Sequence, residues 1–197
     1  MHEEITGIIL AGGRATRMGG EDKGLVQVAG IPLYQYVLSR LRPQVGQIAI
    51  SANRNQESYR EGGLPIVSDL TPDFSGPLAG MLAGLKHAST EWVAFVPCDV
   101  PDFPTTLVDQ LWQQKGSALA AYASDGERAH PTLALLHTSL APKLEEYLAR
   151  GERKLMLFQN AAGAKQIVFS GQQTAFHNLN TREDCLRWQQ EKGLINE

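Results

Sequence analysis

Short apolar runs alternate along the first half of the chain with segments whose apolar residues recur at helical spacing. The runs predict strands at residues 5–10, 47–53, 64–67 and 91–96. Leu33, Val37 and Leu41 repeat every four residues, and further helices are predicted at 55–60, 78–85 and 107–112. This alternation is typical of parallel βαβ units around one sheet that helices cover on both faces.

The second half of the chain has a different pattern. Strands are predicted at 117–123 and 131–137 with a polar loop at 125–130 between them, and helices at 140–148 and 155–158. The order Thr-Arg-Glu-Asp from Thr181 predicts a capping box at the start of a last helix. The predicted fold class is therefore α/β, a single Rossmann-like domain over residues 1–197 with a mostly parallel central sheet.

Charge and composition narrow the classes of function. The formal net charge of −3 argues against duplex nucleic acid as a partner. The first residues, Met-His-Glu-Glu, lack the basic region of a signal peptide, and no apolar stretch is long enough to span a bilayer. Cys98 and Cys185 lie far apart without a motif, so we interpret both as packing residues. We therefore expect a cytoplasmic monomer that binds neither membrane nor nucleic acid.

The stretch at residues 10–23 follows the first predicted strand and reads Leu-Ala-Gly-Gly-Arg-Ala-Thr-Arg-Met-Gly-Gly-Glu-Asp-Lys. Gly12 and Gly13 lack side chains, so their backbone N–H groups can approach an anion closely. Arg14, Arg17 and Lys23 bring positive charge to the same loop. The combination predicts a phosphate-binding loop between the first strand and the first helix.

Two common phosphate-binding motifs do not fit this loop. A P-loop needs Gly-Lys followed by Ser or Thr, whereas Lys23 follows Asp22 and precedes Gly24. The dinucleotide fingerprint needs glycines at positions i, i+2 and i+5, and this spacing does not occur between Gly7 and Gly24. The loop therefore belongs to another class of phosphate-binding site.

Candidate ligand-binding residues also follow two later elements. Asp99 comes directly after the apolar strand at 91–96. Because Mg²⁺ typically takes one or two protein carboxylates together with substrate phosphates, Asp99 is the predicted metal ligand, and Asp102 is the competing carboxylate. Gly76 and Pro77 precede the apolar series at 78–85, and a helix that begins there would direct free N–H groups at a ligand.

The ordered set Gly-Gly, Arg-Met-Gly and Asp-Lys resembles the signature loop of nucleotidyltransferases that join a nucleoside triphosphate to a phosphorylated acceptor. Four further motifs narrow the resemblance: Gly-Pro-Leu-Ala-Gly at 76–80, Asp-Gly-Glu-Arg-Ala-His-Pro-Thr at 125–132, Gly-Glu-Arg-Lys at 151–154 and Asn-Leu-Asn-Thr at 178–181. Taken together, over about residues 6–190, these motifs are similar to those of the molybdenum cofactor guanylyltransferases. The fold implied is that of the nucleotide-diphospho-sugar transferases.

The resemblance implies transfer of GMP from GTP to the terminal phosphate of molybdopterin, with release of pyrophosphate and with Mg²⁺ as cofactor. The implied catalytic residues are Arg17, Lys23 and Asp99, of which Lys23 is expected to matter most to the rate. The implied nucleotide-binding residues are Leu10, Ala11, Gly12, Gly13, Lys23, Ser51, Asn53, Asp69, Gly76, Pro77 and Asp99. The implied metal ligands are Asp99 and Asn180, with Asn178 as the alternative second ligand. Ser51 departs from the family pattern, which has Asn there, and lacks the paired geometry of an amide.

The resemblance also divides the chain by substrate. The N-terminal part would bind the nucleotide and the C-terminal part the acceptor, through Asp125, Glu127, His130, Arg153 and Lys154. The alternative for the last two is that they are solvated basic residues before an apolar helix. Transient contacts with other proteins of cofactor biosynthesis and with molybdoenzymes are expected.

Two other functions fit the same residues. One is a related nucleotidyltransferase: a cytidylyltransferase for molybdopterin or methylerythritol phosphate, or a small sugar-phosphate enzyme. Base choice depends on a few hydrogen bonds that sequence spacing does not determine. The other is a non-catalytic module that binds nucleotide and delivers cofactor, although such a module needs no metal carboxylate opposite a cationic loop.

Overall fold

The structure is a computed structural model that describes residues 1–11, 17–18, 20–70 and 76–194, with 17–18 described by backbone alone. Within these residues the central sheet has seven strands: β1 (His2–Leu10), β2 (Val45–Ser51), β3 (Ile66–Val67), β4 (Trp92–Pro97), β5 (Ala120–Ser124), β6 (Ala129–His137) and β7 (Lys165–Val168). Their order in space is β7-β5-β6-β4-β1-β2-β3. Each pair of neighbours is parallel except the two pairs that include β6, which is antiparallel to β4 and β5. The predicted fold class is confirmed.

Helices cover both faces of this sheet. The helices of the described residues are α1 (Leu33–Leu41), α2 (Gln56–Arg60), α3 (Pro77–His87), α4 (Leu107–Gln114), α5 (Ala141–Ala149), α6 (Leu155–Ala161) and α7 (Arg182–Glu191). Helix α7 packs in a separate cluster with Val28 and Leu33. Side chains alternate along a strand, so Ile5 and Ile9 of β1 enter the core beneath α1 and α4, while Ile8 enters the core beneath α3 and α5. Within the described residues, no helix has both the length and the apolar character needed to cross a bilayer.

The strand register gathers the polar strand ends at one edge of the sheet. Leu10 at the end of β1 pairs with Ser51 of β2 and with Pro97 of β4. Ser51 in turn pairs with Val67 of β3. Since β6 runs the other way, its first residue, Ala129, also lies at this edge, opposite the end of β5. The ends of β1–β5 and the start of β6 therefore lie at one edge of the sheet, which we call the carboxyl edge.

Helix α3 approaches this edge closely because it carries glycines where it crosses the strands. A Cβ built on Gly80 would lie 2.8 Å from Ser51 Oγ, and one on Gly84 would lie 2.9 Å from a ring carbon of Phe95. Both distances are shorter than ordinary van der Waals contact, so only glycine permits this spacing. The helix begins after Gly76, whose φ of 80° is a conformation that glycine adopts without strain.

The predicted element map was incomplete or displaced in several places, and the strand predicted at 117–123 begins only at Ala120. Strand β7 was not predicted, because only Ile167 of its four residues is buried and no apolar pattern marks it. Two short hairpins, Arg17–Met18 with Glu21–Asp22 and Gln27–Val28 with Ile31–Pro32, were also missed. The loop predicted to extend to residue 130 ends earlier, because β6 already includes Ala129 and His130.

Candidate active site

A buried ion pair joins the turn before α1 to the end of β4. Lys23 Nζ lies 3.3 Å from Asp99 Oδ2, and each of the two side chains is 9% exposed. Asp99 follows Cys98, whose backbone N–H donates to the Leu10 carbonyl at 3.1 Å and so continues the ladder between β1 and β4. The sequence predicts that the loop lysine and the carboxylate after a buried strand belong to one site, and the structure brings the two groups together.

Two asparagines from the segment before α7 complete this cluster. Asn180 Oδ1 accepts a hydrogen bond from Lys23 Nζ at 2.8 Å, and the Asn178 amide lies 3.4 Å from Asp99 Oδ2. Between them Leu179 is 1% exposed, and its backbone N–H donates to the Asp99 carbonyl at 2.9 Å. One buried leucine thus anchors the segment while its two neighbours face the ion pair. We call Lys23, Asp99, Asn178 and Asn180 the lysine–aspartate cluster.

The turn that carries Lys23 is held by contacts that the sequence did not reveal. Asp22 caps a 3₁₀ turn at Lys23–Leu25 by accepting from the Gly24 backbone N–H at 3.3 Å. Tyr59 of α2, itself fully buried, donates its hydroxyl to Asp22 Oδ1 at 2.7 Å. Burial raises the pKa of Tyr59, and the neighbouring Cys98 and Asp22 raise it further, so the hydroxyl stays protonated and remains a donor. No local pattern marked Tyr59 as functional, since it lies 37 residues from its partner.

Asn53 and Asp69 form a second contact, at the ends of β2 and β3. The Asn53 amide donates to Asp69 Oδ2 at 2.7 Å and accepts from the Asp69 backbone N–H at 2.8 Å. Burial raises the pKa of Asp69, and the hydrogen bond from Asn53 opposes that shift. Ser51 is 2% exposed beneath Gly80. Asn53 is exposed, so this pair rather than Ser51 is open to a ligand.

The predicted acceptor loop lies at the same edge, around the start of β6. Asp125 Oδ2 lies 2.8 Å from His130 Nε2, while Oδ1 accepts from the backbone N–H groups of Glu127 and Arg128 at 2.8 and 2.9 Å. The hydrogen bond with His130, followed by the two backbone donors, lowers the pKa of Asp125 to about 2. The His130 ring stacks on Phe176 with a centroid separation of 4.8 Å and an interplanar angle of 10°.

The basic residues before α6 differ from each other. Arg153 Nη1 donates to the Leu148 carbonyl at 2.9 Å and to the Glu152 carbonyl at 2.7 Å, so its guanidinium holds the connection after α5. Lys154 is exposed, and its carbonyl accepts from the Tyr147 hydroxyl at 2.8 Å. Lys154 is therefore the more accessible of the two predicted acceptor contacts.

Asp102, the competing carboxylate, and Cys98, interpreted as a packing residue, both have structural roles. The Asp102 carboxylate accepts from Trp188 Nε1 at 2.8 Å and pairs with Lys192 at 3.0 Å. It thus fastens α7 to the segment after β4 instead of facing Lys23. Cys98 is fully buried, and burial, with the nearby Asp99, raises its pKa well above the ordinary value, which does not favour a thiolate nucleophile.

Two cavities of about 520 and 530 Å³ flank Trp188, and neither is lined by Lys23 or Asp99.

The remaining predicted residues belong to the phosphate loop and to the start of α3. Leu10 ends β1, and Ala11 follows it, where the Ala11 backbone N–H donates to the Ser51 carbonyl at 2.9 Å. Gly76 and Pro77 begin α3 as predicted. Four predicted groups of the phosphate loop lie outside the described residues: Gly12, Gly13, Arg14 and the side chain of Arg17.

Comparisons with known proteins identify the family of the chain. The family model described as MobA-like NTP transferase domain matches residues 7–165. A Serratia proteamaculans protein named molybdenum cofactor guanylyltransferase is 89% identical over 197 residues, which is 100% of both chains. A crystal structure of molybdopterin-guanine dinucleotide biosynthesis protein A from Archaeoglobus fulgidus superposes with a TM-score of 0.75 at 20% identity, covering 95% of this chain and 98% of that one.

A structural neighbour with a different name shares the same fold. The 4-diphosphocytidyl-2C-methyl-D-erythritol synthase of Anaerococcus prevotii superposes with a TM-score of 0.73 at 16% identity, over 97% of this chain and 96% of its own. Such a likeness concerns the fold alone. The family model and the full-length relative go further, and by them the chain belongs to the molybdenum cofactor guanylyltransferase family.

Proposed function

We propose that this protein transfers GMP from GTP to the terminal phosphate of molybdopterin, with release of pyrophosphate, and that the transfer depends on Mg²⁺. The observation that carries the proposal is the buried Lys23–Asp99 pair, at 3.3 Å, at the edge where the first strand leads into the glycine-rich loop. The two substrates are both polyanions, so bringing them together requires positive charge, which a lysine and a carboxylate able to bind a metal ion supply at one place. The family of the chain supports guanine as the base.

The donor set of the lysine–aspartate cluster fits Mg²⁺. It offers one carboxylate and the amide oxygen of Asn180, both hard oxygen donors, and the ammonium of Lys23 already lies between them as a cation. Among the described residues no group of three or more His, Cys, Asp or Glu side chains could hold a metal, so the remaining ligands would be phosphate oxygens and water. When bound, Mg²⁺ would neutralise charge on the α-phosphate and on the departing pyrophosphate.

The protein itself contributes charge and alignment. A terminal phosphate monoester has its second pKa at about 6 and is already largely ionised near neutral pH, so its oxygen needs no strong general base. That oxygen forms the new bond to the α-phosphorus while the bond to the β-phosphate oxygen breaks and its electron pair leaves with pyrophosphate. In this proposal Lys23, Arg17 and the glycine-rich loop bind the triphosphate and neutralise its charge.

The two substrates would occupy opposite ends of the carboxyl edge. Asn53 and Asp69 at the ends of β2 and β3 offer an amide and a carboxylate for the nucleoside. Asp125, His130 and the exposed Lys154 lie on the side of β5 and β6 and would meet the pterin. A cytoplasmic location, a monomeric state and transient contacts with other cofactor proteins stay predictions.

The test is pyrophosphate release measured with each of the four nucleoside triphosphates, with and without molybdopterin and with Mg²⁺ varied. We expect release with GTP only, and only when molybdopterin and Mg²⁺ are both present. A preference for CTP would instead support the related cytidylyltransferase. No turnover with any triphosphate, despite nucleotide binding, would support a non-catalytic delivery module.

A further inference from the structure

The Lys23 ammonium occupies the oxygen atoms that a divalent cation would need. Its Nζ is 2.8 Å from Asn180 Oδ1 and 3.3 Å from Asp99 Oδ2, the two protein oxygens assigned above to Mg²⁺. An ammonium has three donors and no acceptor, so it competes directly with a metal ion for oxygen lone pairs. In this arrangement the Lys23 ammonium already occupies the position between the two oxygens.

Burial makes that arrangement stable in the absence of nucleotide. Lys23 is 7% and Asp99 6% exposed, and a carboxylate removed from water to this degree needs a counter-charge. The Asn178 amide, 3.4 Å from Asp99 Oδ2, adds a neutral donor to the same carboxylate. A metal ion that arrived alone would have to displace Lys23 and leave its ammonium without a partner.

We propose that Lys23 is a placeholder cation, meaning that it holds the Asp99 and Asn180 oxygens until a triphosphate draws its ammonium away and a divalent cation takes them. The inference rests on the proposed function, since it requires a triphosphate beside Lys23. Two features permit the exchange. The lysine stem is flexible, and Asn180 is exposed, so the cluster is open on the side from which a ligand would come.

A thermodynamic consequence follows for binding. When a divalent cation replaces Lys23 at Asp99, the Asp99 carboxylate and the Lys23 ammonium both keep an opposite charge as partner, because Lys23 moves to a phosphate group. Metal and triphosphate therefore bind cooperatively, and each raises the affinity for the other by the same factor. The metal alone binds weakly to the wild-type protein.

The experiment uses Mn²⁺ alone, without nucleotide, titrated into wild type and Lys23→Met while free Mn²⁺ is followed by electron paramagnetic resonance. Removing the ammonium frees both oxygens, so we expect Lys23→Met to bind one Mn²⁺ at least about tenfold more tightly than wild type. Lys86→Met is the matched control, because Lys86 pairs with Glu145 at 2.8 Å on the surface. Its affinity for Mn²⁺ should equal that of wild type.

A double variant separates direct occupancy from a general loss of positive charge. If Lys23 holds the Asn180 oxygen itself, then Asn180→Ala in the Lys23→Met background should weaken Mn²⁺ binding again. Equal affinity of Lys23→Met and wild type for Mn²⁺ would overturn the proposal. So would Mn²⁺ binding to Lys23→Met that does not change when Asn180 is removed.

A measurement on wild type keeps the proposal testable even if Lys23→Met does not fold. We expect the midpoint of thermal unfolding to stay constant with Mn²⁺ alone and to rise when inorganic tripolyphosphate is added with Mn²⁺, beyond the rise with tripolyphosphate alone. Stabilisation by submillimolar Mn²⁺ alone would overturn the placeholder role. None of these readouts is turnover, so an enzyme that fails to release pyrophosphate would refute the proposed function and leave this test intact.

Discussion

The two polar clusters at the carboxyl edge are assembled by the chain in opposite ways. In the lysine–aspartate cluster, Lys23 meets Asp99 across 76 residues and Asn180 across 157. In the acceptor loop, Asp125 meets His130 across only 5 residues. The first cluster exists only once the whole sheet has formed, whereas the second forms within a single turn. A substitution in the first should therefore affect chemistry and folding together, and one in the second should affect one substrate.

The clusters also differ in what they leave for a ligand. Asp99 has one cationic partner that can be exchanged for another cation. Asp125 is bonded on both oxygens, to His130 and to two backbone N–H groups, and is thereby an anchor for its loop. This contrast explains why a metal is expected at Asp99 and not at Asp125, although both carboxylates lie at the same edge.

The largest expected effect is that of Asp99→Ala. The change removes the only carboxylate of the lysine–aspartate cluster, so Mg²⁺-dependent turnover should be abolished. It also leaves the buried Lys23 ammonium without a counter-charge, with only the Asn180 amide oxygen as a partner, which we expect to lower the free energy of unfolding by about 3–5 kcal/mol. Pyrophosphate release across a Mg²⁺ series, with urea unfolding in parallel, measures both quantities.

Asp102→Ala is the matched control for that variant. Asp102 lies three residues further along but binds Trp188 and Lys192, so the change should loosen α7 and preserve the Mg²⁺ dependence of turnover. Near-normal rates of Asp99→Ala at limiting Mg²⁺ would assign the metal to another carboxylate.

Lys23→Ala should have the next largest effect, on the rate more than on binding. Charge on the triphosphate grows toward the leaving pyrophosphate in the transition state, where a fixed ammonium contributes most. We expect kcat to fall about 10²- to 10³-fold with a much smaller rise in KM for GTP. Steady-state kinetics with varied GTP separate the two constants. A rise in KM with unchanged kcat would limit Lys23 to binding.

The sequence predicted the position of Asp99 better than it predicted the contacts around Lys23 and Asp99. The position of Asp99 was predictable because it directly follows a buried strand, and parallel strands bring such ends to one edge. The contacts that orient Lys23 beside it were not predictable. Tyr59 of helix α2 donates a hydrogen bond to Asp22, and no periodicity of the sequence predicts a contact between a helix and a distant turn. The capping box of α7 was predicted correctly, since all its members lie within four residues.

The same distinction holds for the fold. The strands with continuous apolar runs, β1 and β4, were predictable because helices cover both of their faces. Strand β7 was missed because it is an edge strand with exposed Lys165 and Gln166, and its pairing with β5 comes from tertiary context. In this molecule the apolar runs mark the interior strands and also the edge strand β3, whereas the exposed edge strand β7 carries no such mark.

Of the two substrates, Asp125→Asn should affect only the acceptor, and it should also lower the stability of the fold. We expect KM for molybdopterin to rise about tenfold, by loss of the ordered loop, with KM for GTP unchanged. The pH dependence gives an independent readout. The pKa of Asp125 is lowered from 3.8 to about 2, so the ionised carboxylate stabilises the fold above about pH 4, and this contribution is lost as the pH falls toward 2.

The stability difference between wild type and Asp125→Asn should therefore shrink as the pH falls through that window. Urea unfolding at steps between pH 5 and about pH 2 checks the trend. A constant difference across this range would show that the Asp125 carboxylate does not stabilise the loop.

The smallest effects are expected at Arg153 and Lys154, and they separate structure from substrate binding within the acceptor half. Arg153 donates to two backbone carbonyls, so Arg153→Ala should lower the free energy of unfolding by about 1–2 kcal/mol. Lys154 is exposed, so Lys154→Ala should leave stability within about 0.5 kcal/mol of wild type. If Lys154 meets the phosphate or the acidic groups of the pterin, its loss should raise KM for molybdopterin severalfold and lessen the salt dependence of that constant, because an exposed charge acts through a screened field. The opposite result, in which Arg153→Ala raises that KM at unchanged stability, would make the guanidinium the acceptor contact and its backbone hydrogen bonds a resting position.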